Sequence, residues 1–369
     1  MYLTFVDKER DPGVYNKISY QVKGFKKLGY DVSLSYMSGN EFYINDKPVC
    51  QLEQNKLRKF ANRFFLPKKI KKIFLNENYD IFYVRKSFIN ISVINFFKNL
   101  KNKGTIVILE IPTFPYSQEL KGTLKKTLYS YEVLCSKLLK KNIDLITFYG
   151  EELESIWGCP TLRLENGVDV ESIKFSGQSE KIQQGGVINL IGVGNLSPWH
   201  GFERVIRSIY SFRNNQDQYL RFVFHVVGEG IAYKELKNLV NELDLSDSVK
   251  FYGFKSGEEL DSLYEKSHIA IGSLGFFKIG LSTGSTLKSK EYAARGIPFI
   301  IGHKDIAFED KSEFVFEVNN DDSEIDLKQV YDWINNIVIS TSDIRRFAVD
   351  NLTWDIQLKK LNEKILLMK

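Results

Sequence analysis

The chemistry in this sequence gathers in the run Gly284-Ser285-Thr286-Leu287-Lys288-Ser289-Lys290-Glu291-Tyr292 and its continuation to Pro298. Ser285 reads as a helix N-cap, Gly296 as the residue just past the helix end, and Pro298 stops it. Amides of Ser285, Thr286 and Leu287 at such a helix start point outward and favour an anion such as a diphosphate. Lys288 and Glu291 stand three apart and share a face. A cation beside the phosphates, with a carboxylate one turn on to accept ribose hydroxyls, is a coherent nucleotide site. The competing reading is a solvated ion pair of little energetic weight.

Three more loops carry the same logic. Gly192-Val193-Gly194-Asn195-Leu196-Ser197-Pro198-Trp199-His200-Gly201 follows a strand pattern and leads into a helix whose Phe202, Ile206 and Ile209 fit one face. Its glycines let backbone approach a ligand, but Ser197 stands where a dinucleotide fingerprint has its third glycine. Val226-Val227-Gly228-Glu229-Gly230 and Tyr252-Gly253-Phe254 end two further strands. Gly228 and Phe254 could border a planar base. Each loop alone is as readily an ordinary βα turn; together they line one edge of one sheet.

The elements that must position these loops alternate. Residues 2–6, 30–36, 80–84, 105–109 and 143–148 read as strands, and a helix spans about 14–28 before Gly29. A second series runs strand 187–192, helix 202–213, strand 222–227, helix 232–243, strand 249–252. It continues with helix 257–267, strand 269–273, helix 285–295 and strand 298–301. This is βαβ logic, an α/β chain with mostly parallel sheets, and ligands in such sheets sit beyond the carboxyl ends of the strands. The polar stretch 171–186 is the linker candidate. The domains expected are 1–172, 173–350 and a C-terminal helix, 351–369, that packs back on the first. That helix carries an apolar stripe at Trp354, Leu358, Leu361 and Ile365.

The C-terminal half resembles glycosyltransferases of family 4, with the GT-B fold of two Rossmann-like doubly wound domains facing a central cleft. The likeness rests on Gly194 to Phe202, on Val227-Gly228-Glu229-Gly230, and on Leu287 to Pro298 with its Lys288, Glu291, Tyr292 and Gly296. Upstream, Asn166-Gly167-Val168-Asp169 is similar to the segment that closes the acceptor domain in that family. Leu109-Glu110-Ile111-Pro112-Thr113-Phe114-Pro115-Tyr116 resembles capsule and exopolysaccharide members. The resemblance implies a nucleotide-sugar donor held by the C-terminal domain, a UDP-sugar ahead of a GDP-sugar. It implies an acceptor on the N-terminal domain, retained anomeric configuration, and no metal or other cofactor. Donor contacts then fall to Gly13, Gly194, Asn195, Gly228, Phe254, Thr283, Ser285, Thr286, Leu287, Lys288 and Glu291. Catalytic roles fall to Lys288, Glu291, His200, Arg85 and Thr113.

The sequence departs from that family at three points. Asn195 stands where the family has Arg, and His200 where it has Lys, so two full charges go unless His200 is protonated beside a diphosphate. Thr283 replaces the first of the family's paired glutamates, eight positions before Glu291. Lys278, Lys288 or Arg85 would then carry more of the leaving-group charge.

Of the 369 residues 43% are hydrophobic and 26% charged, the balance of a soluble globular protein. No apolar run reaches membrane-spanning length and the start lacks a signal-type pattern, so the expected location is cytoplasmic. Cys50, Cys135 and Cys159 are far apart, and His200, His225, His268 and His303 form no ligand spacing. The net charge of +5 hides an asymmetry. Residues 1–170 carry 27 Lys and Arg against 18 Asp and Glu, and the remainder carries 24 against 28. Eight of the basic residues, Lys59, Arg63, Lys68 and Lys69 among them, fall between Lys56 and Lys72, interleaved with Leu57, Phe60, Phe64, Phe65, Ile70 and Ile73. Two readings stay open for this stretch: a face for anionic lipid at the inner membrane surface, or an apolar face packed on the sheet with solvated lysines. For 124–141 packing on the sheet is preferred. No nucleic-acid motif is visible.

The expected partners are a nucleotide sugar, a glycan or polyprenyl-linked acceptor, and an anionic membrane surface. The runner-up function is a catalytically silent nucleotide-sugar-binding subunit.

Overall fold

The computed structural model describes residues 1–52, 68–112, 114, 123–150, 152–177, 186–215, 220–309, 311 and 313–368. In chain order its strands are β1 (Tyr2–Leu3), β2 (Ser35–Ser38), β3 (Glu41–Ile44), β4 (Lys47–Gln51), β5 (Ile81–Arg85), β6 (Ile106–Ile111), β7 (Leu145–Phe148), β8 (Ser155–Ile156) and β9 (Cys159–Arg163). The second series is β10 (Val187–Val193), β11 (Arg221–Val227), β12 (Val249–Phe251), β13 (Ile269–Ile271), β14 (Phe299–Ile301) and β15 (Val315–Glu317). The chain divides into two compact units, Met1–Glu165 with Trp354–Lys369, and Asn166–Thr353.

In the first unit the sheet order is β1-β5-β6-β7-β9-β8. The pairs from β1 to β9 are parallel, and β8 closes the edge antiparallel to β9. All six residues of β6 are buried, as a parallel strand covered on both faces requires. One face takes the Lys68–Asn76 and Ile91–Asn102 helices through Ile70, Phe74, Val93 and Phe97. The other takes the Pro12–Lys27 helix and the last helix, Trp354–Leu366, through Ile18, Val22, Leu358, Leu361 and Ile365. The expected stripe on the last helix is therefore core. At Gly24 a Cβ would stand 2.7 Å from Leu358 Cδ1, so the two helices meet where the first lacks a side chain.

Three expectations change in this unit. Residues 30–36 do not form one strand of the main sheet; β2 pairs instead with β3 and β4 in an antiparallel meander. Asn45 and Asp46 take positive φ in its second turn, between β3 and β4, a conformation Asn and Asp tolerate better than most. The first unit ends at Glu165, not at residue 172. Val168 and Val170 lie in the second unit's core, and Arg345 donates to the carbonyls of Val170 and Ile173. The other crossing falls between Thr353 and Trp354, not at 350. Finally, the stretch 124–141 packs only in part: Cys135 and Leu139 are buried but Tyr131, Leu134 and Leu138 are exposed.

The second unit holds an all-parallel sheet of order β12-β11-β10-β13-β14-β15. Renumbered from its own first strand, this is the 3-2-1-4-5-6 order of a doubly wound nucleotide-binding sheet. The order reverses between β10 and β13, so the loops after those two strands flank the crevice where such sheets take ligands.

Candidate functional site

The loops after β10, β11 and β12 lock into one another through backbone. Gly194 N donates to Val227 O at 3.0 Å, and Gly228 N to Gly253 O at 2.7 Å. Gly228 has φ +122, and a Cβ there would lie 2.0 Å from Gly194 O. Its glycine is thus required by a neighbouring loop, whatever the ligand. Phe254, just past this contact, is 69% exposed and offers a free ring face.

Loop 194–201 turns the chain toward the Phe202–Asn215 helix and buries His200. His200 Nδ1 accepts from the Ser197 amide at 3.4 Å, which leaves the proton of a neutral ring on Nε2. Burial, and then the charge of Lys288, push its pKa down to about 2. In the protein alone, with no diphosphate beside it, His200 is therefore neutral, with Nε2–H as its donor. Asn195, by contrast, is exposed.

The loop after β13 leads into the Leu287–Arg295 helix. Thr286, not Ser285, is the N-cap, accepting from Ser289 N. Ser285 is occupied differently: its Oγ accepts from Asn166 N at 3.0 Å and its carbonyl from Asn166 Nδ2 at 2.5 Å. That clamp holds Ser285 outside the helix and moves the cap one residue on. Gly296, with φ +76, ends the helix as expected. Thr283 bridges to Lys304, and Leu287 opens the helix.

Lys288 converges on the β10 loop. Its Nζ is buried with no hydrogen-bond partner and lies 5.1 Å from the centroid of the Phe202 ring. Burial lowers its pKa to about 7, with Glu291 pulling the other way. A Cβ on Gly194 would stand 3.3 Å from Lys288 Nζ and 3.3 Å from His200 Cε1. The bare backbone at Gly194 therefore faces a lysine and a neutral histidine together. Glu291 sits exposed on the helix. Lys290, its neighbour in sequence, is turned inward to Asp305, both side chains fully buried. Lys278 pairs with Glu203. Among the described residues no group of three His, Cys, Asp or Glu could hold a metal ion.

Within the first unit, Arg85 is paired with Glu110, Nη1 to Oε1 at 3.0 Å. Glu110 is fully buried and also accepts from the Tyr2 and Tyr149 hydroxyls at 2.7 and 3.1 Å. Gly13 lies at the start of the first helix, with nothing within 4 Å of where a Cβ would be. Lys69 is exposed, and only the backbone of Lys68 is described. Lys59, Arg63 and Thr113 lie outside the described residues.

Residues 178–327 match the family described as Glycosyl transferases group 1. That match is to a family of glycosyltransferases and spans 150 of the 369 residues. The chain's fold is similar to that of sucrose-phosphate synthase from Thermosynechococcus elongatus, with TM-score 0.58 at 12% identity over 86% of this chain and 81% of that one. It is similar to a glycosyltransferase from Rickettsia africae ESF-5, with TM-score 0.54 at 16% identity, covering 89% and 84%. It is also similar to pneumococcal O-GlcNAc transferase in complex with UDP and GlcNAc, with TM-score 0.53 at 12% identity, covering 91% and 65%. The fold is GT-B. No curated protein matches this sequence.

The structure thus brings together Gly194, His200, Lys288 and, through the interlocked loops, Gly228. Sequence reasoning missed Phe202 as the floor under Lys288 and Asn166 as the clamp on Ser285. No spacing rule links Asn166 to a residue 119 positions away.

Proposed function

We propose that this chain is a glycosyltransferase that moves a sugar from a nucleoside-diphosphate donor, a UDP-sugar ahead of a GDP-sugar, to a lipid-linked or polysaccharide acceptor. Transfer proceeds with retained configuration and without a metal, in cell-surface glycan assembly at the cytoplasmic face of a membrane. The observation that carries the donor half is Lys288 Nζ, a buried cation without a hydrogen-bond partner beside His200 and Gly194. Desolvating an ammonium is costly unless an opposite charge meets it. A diphosphate supplies that charge, and as the bond to the sugar breaks it gains more, so the same lysine stabilises the leaving group. His200 adds a neutral donor, Phe254 a face for the base, and Glu291 an exposed acceptor for ribose hydroxyls.

The likeness to family 4 and the basic balance of the first 170 residues support the acceptor half of the reading. No helix among the described residues is long and apolar enough to cross a membrane, so the proposed association is peripheral. Release of nucleoside diphosphate from a panel of nucleotide sugars tests the assignment. Lys288→Ala and Glu291→Ala are expected to abolish turnover with the fold intact; near-normal transfer by either would sink it. The neutral state of His200 leaves Lys288 as the cation in this cluster and keeps the silent-subunit reading in view. Thermal stabilisation by nucleotide sugars without hydrolysis or transfer would favour that reading.

A further inference from the structure

Among the described residues of the second unit, two side-chain acceptors are buried with no donor: one on a residue bonded to Ser285, the other on a residue whose chain neighbour, Lys304, bonds Gly284. The first is Asn166 Oδ1. Its orientation is fixed, because the Ser285 carbonyl can only accept and so must face the Asn166 NH2 group. The second is His303 Nε2. Here too the chemistry fixes the atom. His303 Nδ1 lies 3.0 Å from the Ser273 carbonyl, which again can only accept, so the proton is on Nδ1 and Nε2 is a bare lone pair. The ring is 4% exposed and stacks on Phe276 with centroids 4.2 Å apart. Burial lowers its pKa, which keeps it neutral.

The turn 283–285 ties the two together. Phe276 lies against Gly284, where a Cβ would meet its ring at 2.3 Å. Gly284 N donates to Lys304 O, the residue after His303, at 2.9 Å, and the next residue is the Ser285 that Asn166 clamps. A buried acceptor left without a donor carries its full desolvation cost, and native structures leave few. Two such acceptors, one bonded to this turn and one joined to it through Phe276 and Lys304, each locked by donating to a backbone carbonyl, call for a ligand rich in O–H donors. Phosphate oxygens do not fit, since they are themselves acceptors. A sugar does, because it presents several hydroxyls at once.

Resting on the nucleotide-sugar reading above, we infer that Asn166 and His303 accept hydrogen bonds from hydroxyls of the transferred sugar and so help to select it. A site built to bond a hydroxyl discriminates strongly against the analogue that lacks it. The probes are UDP, GDP, UDP-glucose, UDP-N-acetylglucosamine and GDP-mannose, with monodeoxy analogues of the one bound tightest. Asn166→Ala and His303→Phe are expected to keep nucleoside diphosphate affinity within about twofold and to lose about tenfold or more for the nucleotide sugar. In wild type one deoxy analogue should bind weakly, and the matching variant should lose nothing further with it.

Equal losses for nucleoside diphosphate and nucleotide sugar would overturn the inference and leave a structural clamp or an ordered water. Additive losses with every deoxy analogue would overturn it as well, as would a nucleoside diphosphate bound with no gain from any sugar. If wild type binds none of the five probes, the nucleotide-sugar reading itself falls. Should His303→Phe fail to fold because Ser273 O loses its donor, Asn166→Ala alone decides, since its backbone bond to Ser285 remains.

Discussion

Lys288 Nζ lies 5.1 Å from the centroid of the Phe202 ring, and that ring is what meets its charge in place of a hydrogen-bond partner. A ring face returns about 0.5–2 kcal/mol, less than an ammonium loses on leaving water. The pKa accordingly falls to about 7. A diphosphate prefers the ammonium form, so donor affinity should be level below pH 7. It should fall as pH rises, approaching about tenfold per unit. A nucleotide sugar is the right probe, because its diphosphate does not titrate in this range. Titration calorimetry from pH 6 to 9 should show the slope in wild type and none in Lys288→Met. A flat wild-type profile would mean that Lys288 does not meet the donor.

His200 behaves in the opposite way. As a neutral donor with a pKa near 2, its contribution should not change between pH 6 and pH 8. His200→Ala should weaken donor binding about tenfold at both, the worth of one hydrogen bond of about 1–1.5 kcal/mol. His200→Gln, which keeps a neutral N–H donor, should recover part of the loss. A deficit for His200→Ala that deepens at pH 6 would show an imidazolium in the bound state.

Gly194 and Gly228 separate binding from folding. At Gly228 a β-carbon would collide with Gly194 O, backbone that cannot move without unlocking the β10 and β11 loops. Gly228→Ala should therefore cost about 3 kcal/mol of stability, combining strain and overpacking. At Gly194 the nearest atoms are the ends of Lys288 and His200, which can give way. Gly194→Ala should cost about 1 kcal/mol of stability, for its positive φ, and weaken the donor by more than tenfold. Denaturant melts and donor titration on both variants check this. Equal stability losses would show that the Gly194 contact is structural too.

The second unit was largely legible in the sequence because its strands are continuous apolar runs and its loops carry glycines at fixed offsets. What stayed hidden is tertiary. Ser285 reads as an N-cap by residue type, yet Asn166 captures its hydroxyl and carbonyl, and Thr286 caps the helix instead. His200 reads as a potential cation by its free pKa, but burial and Lys288 decide otherwise. The domain boundary reads as the polar stretch 171–186, while the core contacts of Val168 and Val170 put it earlier. The meander β2-β3-β4 was missed because its short strands alternate too briefly to register. Arg85 reads as a free cation near the chemistry; only the sheet register, which sets Arg85 beside Glu110, reveals its partner.

That partnership makes the last prediction. Glu110 meets Arg85 at 3.0 Å and Lys17 at 3.7 Å, one buried carboxylate between two cations. Lys17 is 6% exposed and lies over the Tyr149 ring at 3.7 Å. Burial, only partly offset by Glu110, brings its pKa down to about 7 from 10.5. Between those values the unfolded chain holds the proton and the native chain has released it. Stability from this group must therefore rise with pH across that window and be lowest below pH 7, with a slope up to about 1.4 kcal/mol per unit. Lys288 adds a slope of the same sign, so the test is the difference between wild type and Lys17→Met. The variant should lose Lys17's share of the rise in urea melts from pH 7 to pH 9. Glu110→Gln should do the reverse of a mild change. It leaves Arg85 and Lys17 buried without a counter-charge and should cost about 3–5 kcal/mol at pH 7. A Lys17→Met variant with the wild-type pH slope would show that Lys17 keeps its proton in the native state and that Glu110 neutralises both cations.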